Sequence, residues 1–148
     1  MAERVNVYLD SSALFAGIWS SAGGGRMILK LGEAGAIQLL IGSQVLSEVE
    51  NALRNKAPSL LGLLTLLLEK SEVRVVPPPN QSTVHLVQRF VERPGDVQVC
   101  AAAVESGALF FVTLDQQHFL NNQLLRENLP IQIGTPGDFL SWFRTHLP

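Results

Sequence analysis

Two runs in this chain, Val5–Leu9 and residues 108–114, are apolar at almost every position instead of alternating with polar residues. A strand of that kind is buried on both faces, so it belongs in a parallel sheet covered on both sides rather than in a sheet with one wet face. Each run stops on an aspartate, Asp10 and Asp115. In parallel α/β sheets ligands collect beyond the carboxyl ends of the strands, so two carboxylates placed there face one crevice. Like charges held that close need a cation between them.

The rest of the pattern supplies helices between such strands. Residues 12–19 read as a short helix, the flexible residues 20–25 interrupt it, and residues 26–32 resume it. A second strand over 36–41 stops at Gly42, and Ser43 is a good N-cap for a helix to about Asn55. The leucine-rich run 60–68 after Pro58 is far shorter than the ~20 residues of a membrane span and reads as a buried helix. Because it is apolar on nearly every side, packing within the domain and packing on a second copy of the chain both explain it. A third strand, 72–76, ends at three prolines; a helix covers 81–92, and an alanine-rich helix, 96–106, leads into the strand before Asp115. Residues 131–133 form a short strand, and Thr135-Pro136-Gly137-Asp138 opens the last helix with an N-cap, a proline at the first position and an early acid. Strands alternating with helices imply a three-layer α/β/α fold with a central, mostly parallel sheet. With no internal repeat and no linker, residues 1–148 are expected to form one domain.

Hydrophobic residues make up 47% of the chain and charged residues only 16%, which suits a well-filled core. The single cysteine, Cys100, has no disulfide partner and sits in an apolar run, so it is expected in that core. Met1 is followed by charged Glu3 and Arg4 and then by strand, without the apolar stretch of a secretion signal, which points to the cytoplasm and away from a membrane. A net charge of −2 gives the molecule no general attraction to a phosphate backbone, so any nucleic-acid role needs a local basic patch. The basic residues, among them Arg26, Arg54, Lys56 and Arg93, are scattered through the sequence.

Of four aspartates, Asp138 has a sufficient role at a helix start. Asp10, Asp96 and Asp115 each have a structural explanation as caps, of the helix after Ser11-Ser12, of the helix after Pro94-Gly95, and of the short turn 116–120. Location argues against three coincidences. Asp10 and Asp115 follow strands and Asp96 begins the helix that feeds the Asp115 strand, so all three converge at one sheet edge. A glutamate from the helix after Ser43 is a candidate fourth acid. Glu48 borders its apolar stripe on one side and Glu50 on the other, and periodicity alone leaves both open.

The segments Val7-Tyr8-Leu9-Asp10-Ser11-Ser12-Ala13-Leu14-Phe15, Ser43 to Leu53, Asp96 to Ala103, Val112 to Phe119 and Thr135 to Leu140 together resemble, in order and spacing, the PIN-domain family of nucleases. More narrowly they resemble the toxin-like PIN proteins of bacterial toxin-antitoxin pairs. The resemblance spans most of the chain and selects Glu48 over Glu50. It implies a divalent-metal-dependent ribonuclease in which Asp10, Glu48, Asp96 and Asp115 hold Mg²⁺ or Mn²⁺, hard cations suited to carboxylate oxygens. Ser11 and Thr113 would orient a carboxylate or a water, or Thr113 simply satisfies a strand-end hydrogen bond. An RNA substrate and an antitoxin partner are the partners it implies; self-association is what the leucine-rich run allows.

Two features depart from the family. Where it often carries a further acid or an asparagine after the last aspartate, this chain has Gln116, Gln117 and His118, and no basic RNA-binding face is visible. His118, His85 and His146 lack a supporting pattern and stay outside the expected site. Two other enzyme classes fit poorly. A nucleophilic aspartate of the dehalogenase or phosphoryl-transfer kind calls for a second aspartate at the position of Ser12 and for a lysine after a later strand, and no lysine follows Arg74. Gly23-Gly24-Gly25 has neither P-loop nor dinucleotide spacing. The remaining alternative is a PIN-like module that only binds or oligomerises, its acids serving as caps.

Overall fold

The computed structural model describes residues 4–146; Met1 and Glu3, part of the charged start, lie outside them. Five strands, β1 (Val5–Leu9), β2 (Ile37–Gly42), β3 (Arg74–Val76), β4 (Phe110–Val112) and β5 (Gln132–Gly134), form one sheet in the order β3-β2-β1-β4-β5, and every neighbouring pair is parallel. The helices are α1 (Ser11–Trp19), α2 (Gly24–Glu33), α3 (Ser43–Lys56), α4 (Leu61–Lys70), α5 (Gln81–Gln88), α6 (Pro94–Glu105), α7 (Gln123–Asn128) and α8 (Pro136–Thr145).

The strand order decides where the helices go. From β1 the chain steps outward to β2 and β3, then crosses back to β4 and on to β5. Right-handed crossovers running in opposite directions put their helices on opposite faces. Accordingly α1 packs with α2, α3 and α4, and α2 with α8, whereas α5 packs with α6. This is the expected three-layer α/β/α arrangement. The β2 strand is buried at all six positions, and Tyr8, Leu39, Phe111, Val112 and Phe139 fill the core around it.

Several boundaries differ from expectation for identifiable reasons. Gly24 and Gly25 are helical instead of breaking the chain, because α1 and α2 cross with almost no gap: a Cβ on Gly25 would lie 2.9 Å from the Ala13 carbonyl oxygen and the Gly17 nitrogen. Gly42, not Ser43, is the N-cap of α3, and a Cβ there would meet the Tyr8 hydroxyl at 2.6 Å. Asp96 is the third residue of α6 instead of its cap; Arg93 caps, and Pro94 takes the first position, which needs no N–H. Helix α5 stops at Gln88 instead of Glu92: the Arg89 and Phe90 N–H groups bond back three residues, to Leu86 and Val87, and Asn122 Nδ2 holds the Phe90 carbonyl at 2.7 Å. The third strand begins late because Glu72 adopts a positive φ of 52°. The run 108–114 contributes only Phe110–Val112 to β4, with Leu109 and Leu114 exposed, and β5 lies one residue later than expected. Helix α7 has no counterpart in the sequence pattern.

The leucine-rich segment is a 3-10 turn (Pro58–Leu60) followed by α4, of which only Leu64 is fully buried; Leu66 is exposed. It is a half-buried surface helix, so its apolar residues exceed what the core absorbs. The capping box at α8 forms as expected between Thr135 and Asp138. Cys100 is fully buried, and burial pushes its thiol up to about 12, as befits a small core residue. Among the described residues no helix is long and apolar enough to cross a membrane.

Candidate metal centre

The strand order reverses between β1 and β4, and that is where open α/β sheets bind ligands. The parallel register pairs Leu9 with Val112, and the Asp10 N–H donates to the Val112 carbonyl at 2.9 Å, carrying the ladder one residue past β1. Asp10 therefore lies beside Thr113, two residues before Asp115.

Asp10 caps α1 and is 6% exposed. Its Oδ1 accepts the Ser11 backbone N–H at 2.8 Å; its Oδ2 accepts the hydroxyls of Thr113 at 2.7 Å and Ser12 at 3.1 Å. Burial raises its pKa above the ordinary carboxylate value, the donors from Thr113, Ser11 and Ser12 pull it back, and the charge of Glu48 adds to the rise. Thr113, fully buried, also accepts the Asp115 N–H at 3.0 Å, so one hydroxyl ties both strand-end aspartates together.

Asp115 caps a π-helical turn (Gln116–Leu120), its Oδ1 accepting the His118 N–H at 3.0 Å. The His118 ring lies against the same carboxylate, Nδ1 to Oδ2 at 2.9 Å, while the Arg93 guanidinium reaches His118 Nε2 at 2.9 Å. A guanidinium only donates, so in this arrangement Nε2 accepts and Nδ1–H donates to Asp115.

Asp96 differs from both. Its Oδ2 is shielded from solvent with no hydrogen-bond partner, and the nearest cation, Arg93 Nε, stands 3.7 Å away, too far to be more than a Coulombic neighbour. Burial raises its pKa, the Arg93 charge lowers it, and the charges of Asp115 and Glu48 raise it again. Glu48 projects from α3 into solvent, its Oε1 accepting Gln44 Nε2 at 3.0 Å; the same amide donates to the Gly95 carbonyl at 3.3 Å, next to Asp96. Glu48 is thus the glutamate whose charge reaches both Asp10 and Asp96.

The four acids share one electrostatic neighbourhood, yet among the described residues no three His, Cys, Asp or Glu side chains draw close enough to form a coordination shell. Two observations fit a hard divalent cation all the same: a donor set made of carboxylates, and a buried carboxylate oxygen, Asp96 Oδ2, for which the protein provides no donor. A hollow of about 660 Å³ between Leu109, Gln132, Asp138 and Trp142 contains none of the four acids.

Sequence reasoning left His118 outside the site and gave Ser12, Gln44 and Arg93 no place in it. Ser11 meets Asp10 through its backbone, and the hydroxyl on the carboxylate is that of Ser12, which also accepts the Leu114 N–H at 2.9 Å. The available signals were local: Arg93 and His118 stand three residues from Asp96 and Asp115, and Gln44 stands four from Glu48.

No family model and no curated protein matches this sequence. Solved structures do. VapBC of Salmonella typhimurium bound to DNA aligns with a TM-score of 0.65 at 17% identity, over 89% of this chain and 98% of that one. VapBC2 of Rickettsia felis, bound to a DNA fragment from its promoter, gives 0.64 at 13% identity, over 87% and 97%. VapC20 of Mycobacterium tuberculosis, a toxin that cleaves the sarcin-ricin loop, gives 0.53 at 12% identity, over 75% and 91%. At these identities the likeness is one of fold: the chain has the PIN-like fold of the VapC type.

Proposed function

We propose that the chain, acting as one PIN-like unit in the cytoplasm, is a divalent-metal-dependent endoribonuclease and the toxin of a toxin-antitoxin pair. The observation that carries the reading is the unpartnered, buried Asp96 Oδ2, held in the field of Asp115 and Glu48 at the edge where β1 and β4 end. The fold shared with a toxin that cleaves the sarcin-ricin loop supports RNA as substrate, and the two VapBC structures support an antitoxin partner.

Asp10, Glu48, Asp96 and Asp115 would hold Mg²⁺ or Mn²⁺, which when bound lowers the pKa of a water and offsets charge developing on a phosphodiester. The protein's own part is positional. Thr113 and Ser12 aim Asp10, His118 aims Asp115, and Gln44 braces Glu48 against α6.

The second reading, a non-catalytic binding or oligomerising module, draws on two observations: Asp10 and Asp115 do cap, and α4 leaves leucines half exposed. Mn²⁺ titration calorimetry and an RNA cleavage assay on the wild type, Asp10→Asn and Asp96→Asn separate the two. The nuclease reading expects cleavage and metal binding that both variants lose; metal affinity and cleavage unchanged in both variants would sink it.

A further inference from the structure

A cluster of four carboxylates repels RNA, and the net charge of −2 offers no compensation, so a substrate needs cations placed beside the acids. Two hollows open onto them, and each has one of the four acids in its wall. One, of about 410 Å³, is polar and lined by Glu92, Arg93, Asp96, Gln117, His118 and Asn122. The other, of about 450 Å³, is mostly apolar and includes Ser12, Phe15, Trp19, Glu48, Lys56 and Leu114. They share no lining residue, and Asp96 stands in the wall of the first and Glu48 in the wall of the second.

The apolar groove has the parts of a base-stacking platform. Phe15 and Trp19 stack with centroids 5.6 Å apart at 17°, Trp19 is 55% exposed, and the Lys56 ammonium lies 5.5 Å from the Phe15 ring. An open indole face backed by a second ring accepts any base, and a neighbouring ammonium accepts the attached phosphate. Ser12, which holds Asp10, and Glu48 make the groove continuous with the candidate metal centre. On the far side Arg93 has a side chain 64% exposed and engages His118 through Nη1, so most of its five donors face solvent.

We propose that single-stranded RNA crosses the acid cluster between these hollows, one base stacked on Trp19 and backbone phosphates held by Lys56 and Arg93. The proposal rests on the ribonuclease reading and supplies the local basic contacts that the sequence conceals, because Lys56 and Arg93 are far apart in the chain and flank the site only in the fold.

The test is fluorescence anisotropy with a labelled single-stranded RNA of about eight nucleotides, in EDTA and again in Ca²⁺, across a salt series. Trp19→Ala is expected to weaken binding roughly ten-fold with the salt slope unchanged. Lys56→Gln and Arg93→Gln are each expected to reduce that slope by about 0.7. All three side chains are exposed, and thermal melts verify that the variants fold. Wild-type protein that fails to bind the RNA in both conditions, or variants that bind it as the wild type does, would overturn the track; the second result is also what a groove reserved for a protein segment would give. Intact binding with these losses but no cleavage would sink the nuclease reading alone, and cleavage with binding indifferent to all three changes would sink the track alone.

Discussion

Asp10 and Asp96 both stand at the start of a helix beside the same crevice, and burial raises the pKa of both, yet their surroundings are opposites. Asp10 is surrounded by donors: a backbone N–H and two hydroxyls satisfy both oxygens. Asp96 has one shielded oxygen with none, and a guanidinium held just out of hydrogen-bond range. The difference separates a carboxylate whose position the protein enforces from one whose remaining valence is left for something outside the chain. A buried acceptor without a partner costs about 1–3 kcal/mol, which a fold retains only where a ligand or water recovers it.

That contrast can be broken most sharply at Asp96. Asp96→Asn is expected to lower Mn²⁺ affinity by roughly 100-fold or more, beyond what losing an outer partner costs, while leaving the melting temperature unchanged or higher; calorimetry and a thermal melt read the two. Thr113→Val attacks the other side. It removes the donor to Asp10 and the acceptor for the Asp115 N–H, and should cost about 2 kcal/mol in urea unfolding, with no equivalent site near Asp96. His118 gives a smaller effect: His118→Phe should weaken Mn²⁺ binding about ten-fold, and His118→Asn, whose amide can occupy the Nδ1 position, should recover much of it. Equal affinities in the two variants would show that the hydrogen bond to Asp115 does not matter.

The smallest effect concerns pH. Because the folded pKa of Asp10 lies above the 3.8 of an ordinary aspartate, the folded state holds that proton more tightly. Its contribution to stability is therefore complete below 3.8 and is lost as pH rises through the folded value. Metal-free Asp10→Asn should accordingly be more stable than wild type at neutral pH, by about 1 kcal/mol, with the gap closing toward pH 4. Urea melts at the two pH values check it; a gap that widens on acidification contradicts the desolvation account.

Much of the fold was legible because its signals are local. Continuous apolar runs announced buried strands at β1 and β2, and Thr135 with Asp138 announced α8. What failed were features set by neighbours distant in sequence. Gly24 and Gly25 look like a linker until α1 lies across them, and residues 89–92 look helical but leave the helix beside Asn122, which donates to the Phe90 carbonyl. The leucines of residues 60–68 suggested burial, whereas only the α4 face that meets its neighbours achieves it.

The acids themselves follow the same division. Periodicity and strand ends sufficed to nominate Asp10, Asp96 and Asp115, since a parallel sheet sends every strand's carboxyl end to one edge. Choosing Glu48 from Glu50 took the family resemblance at the level of sequence; in the structure the charge of Glu48 reaches Asp10 and Asp96. Which hydroxyl holds Asp10, that His118 leans on Asp115, that Asp96 keeps an oxygen unpaired, and that Lys56 and Arg93 flank one crevice were decided by tertiary structure alone. The reason is range. Hydrogen bonds and desolvation act over a few ångströms, and only the folded chain brings residue 12 to residue 114, or residue 44 to residue 95, within that distance.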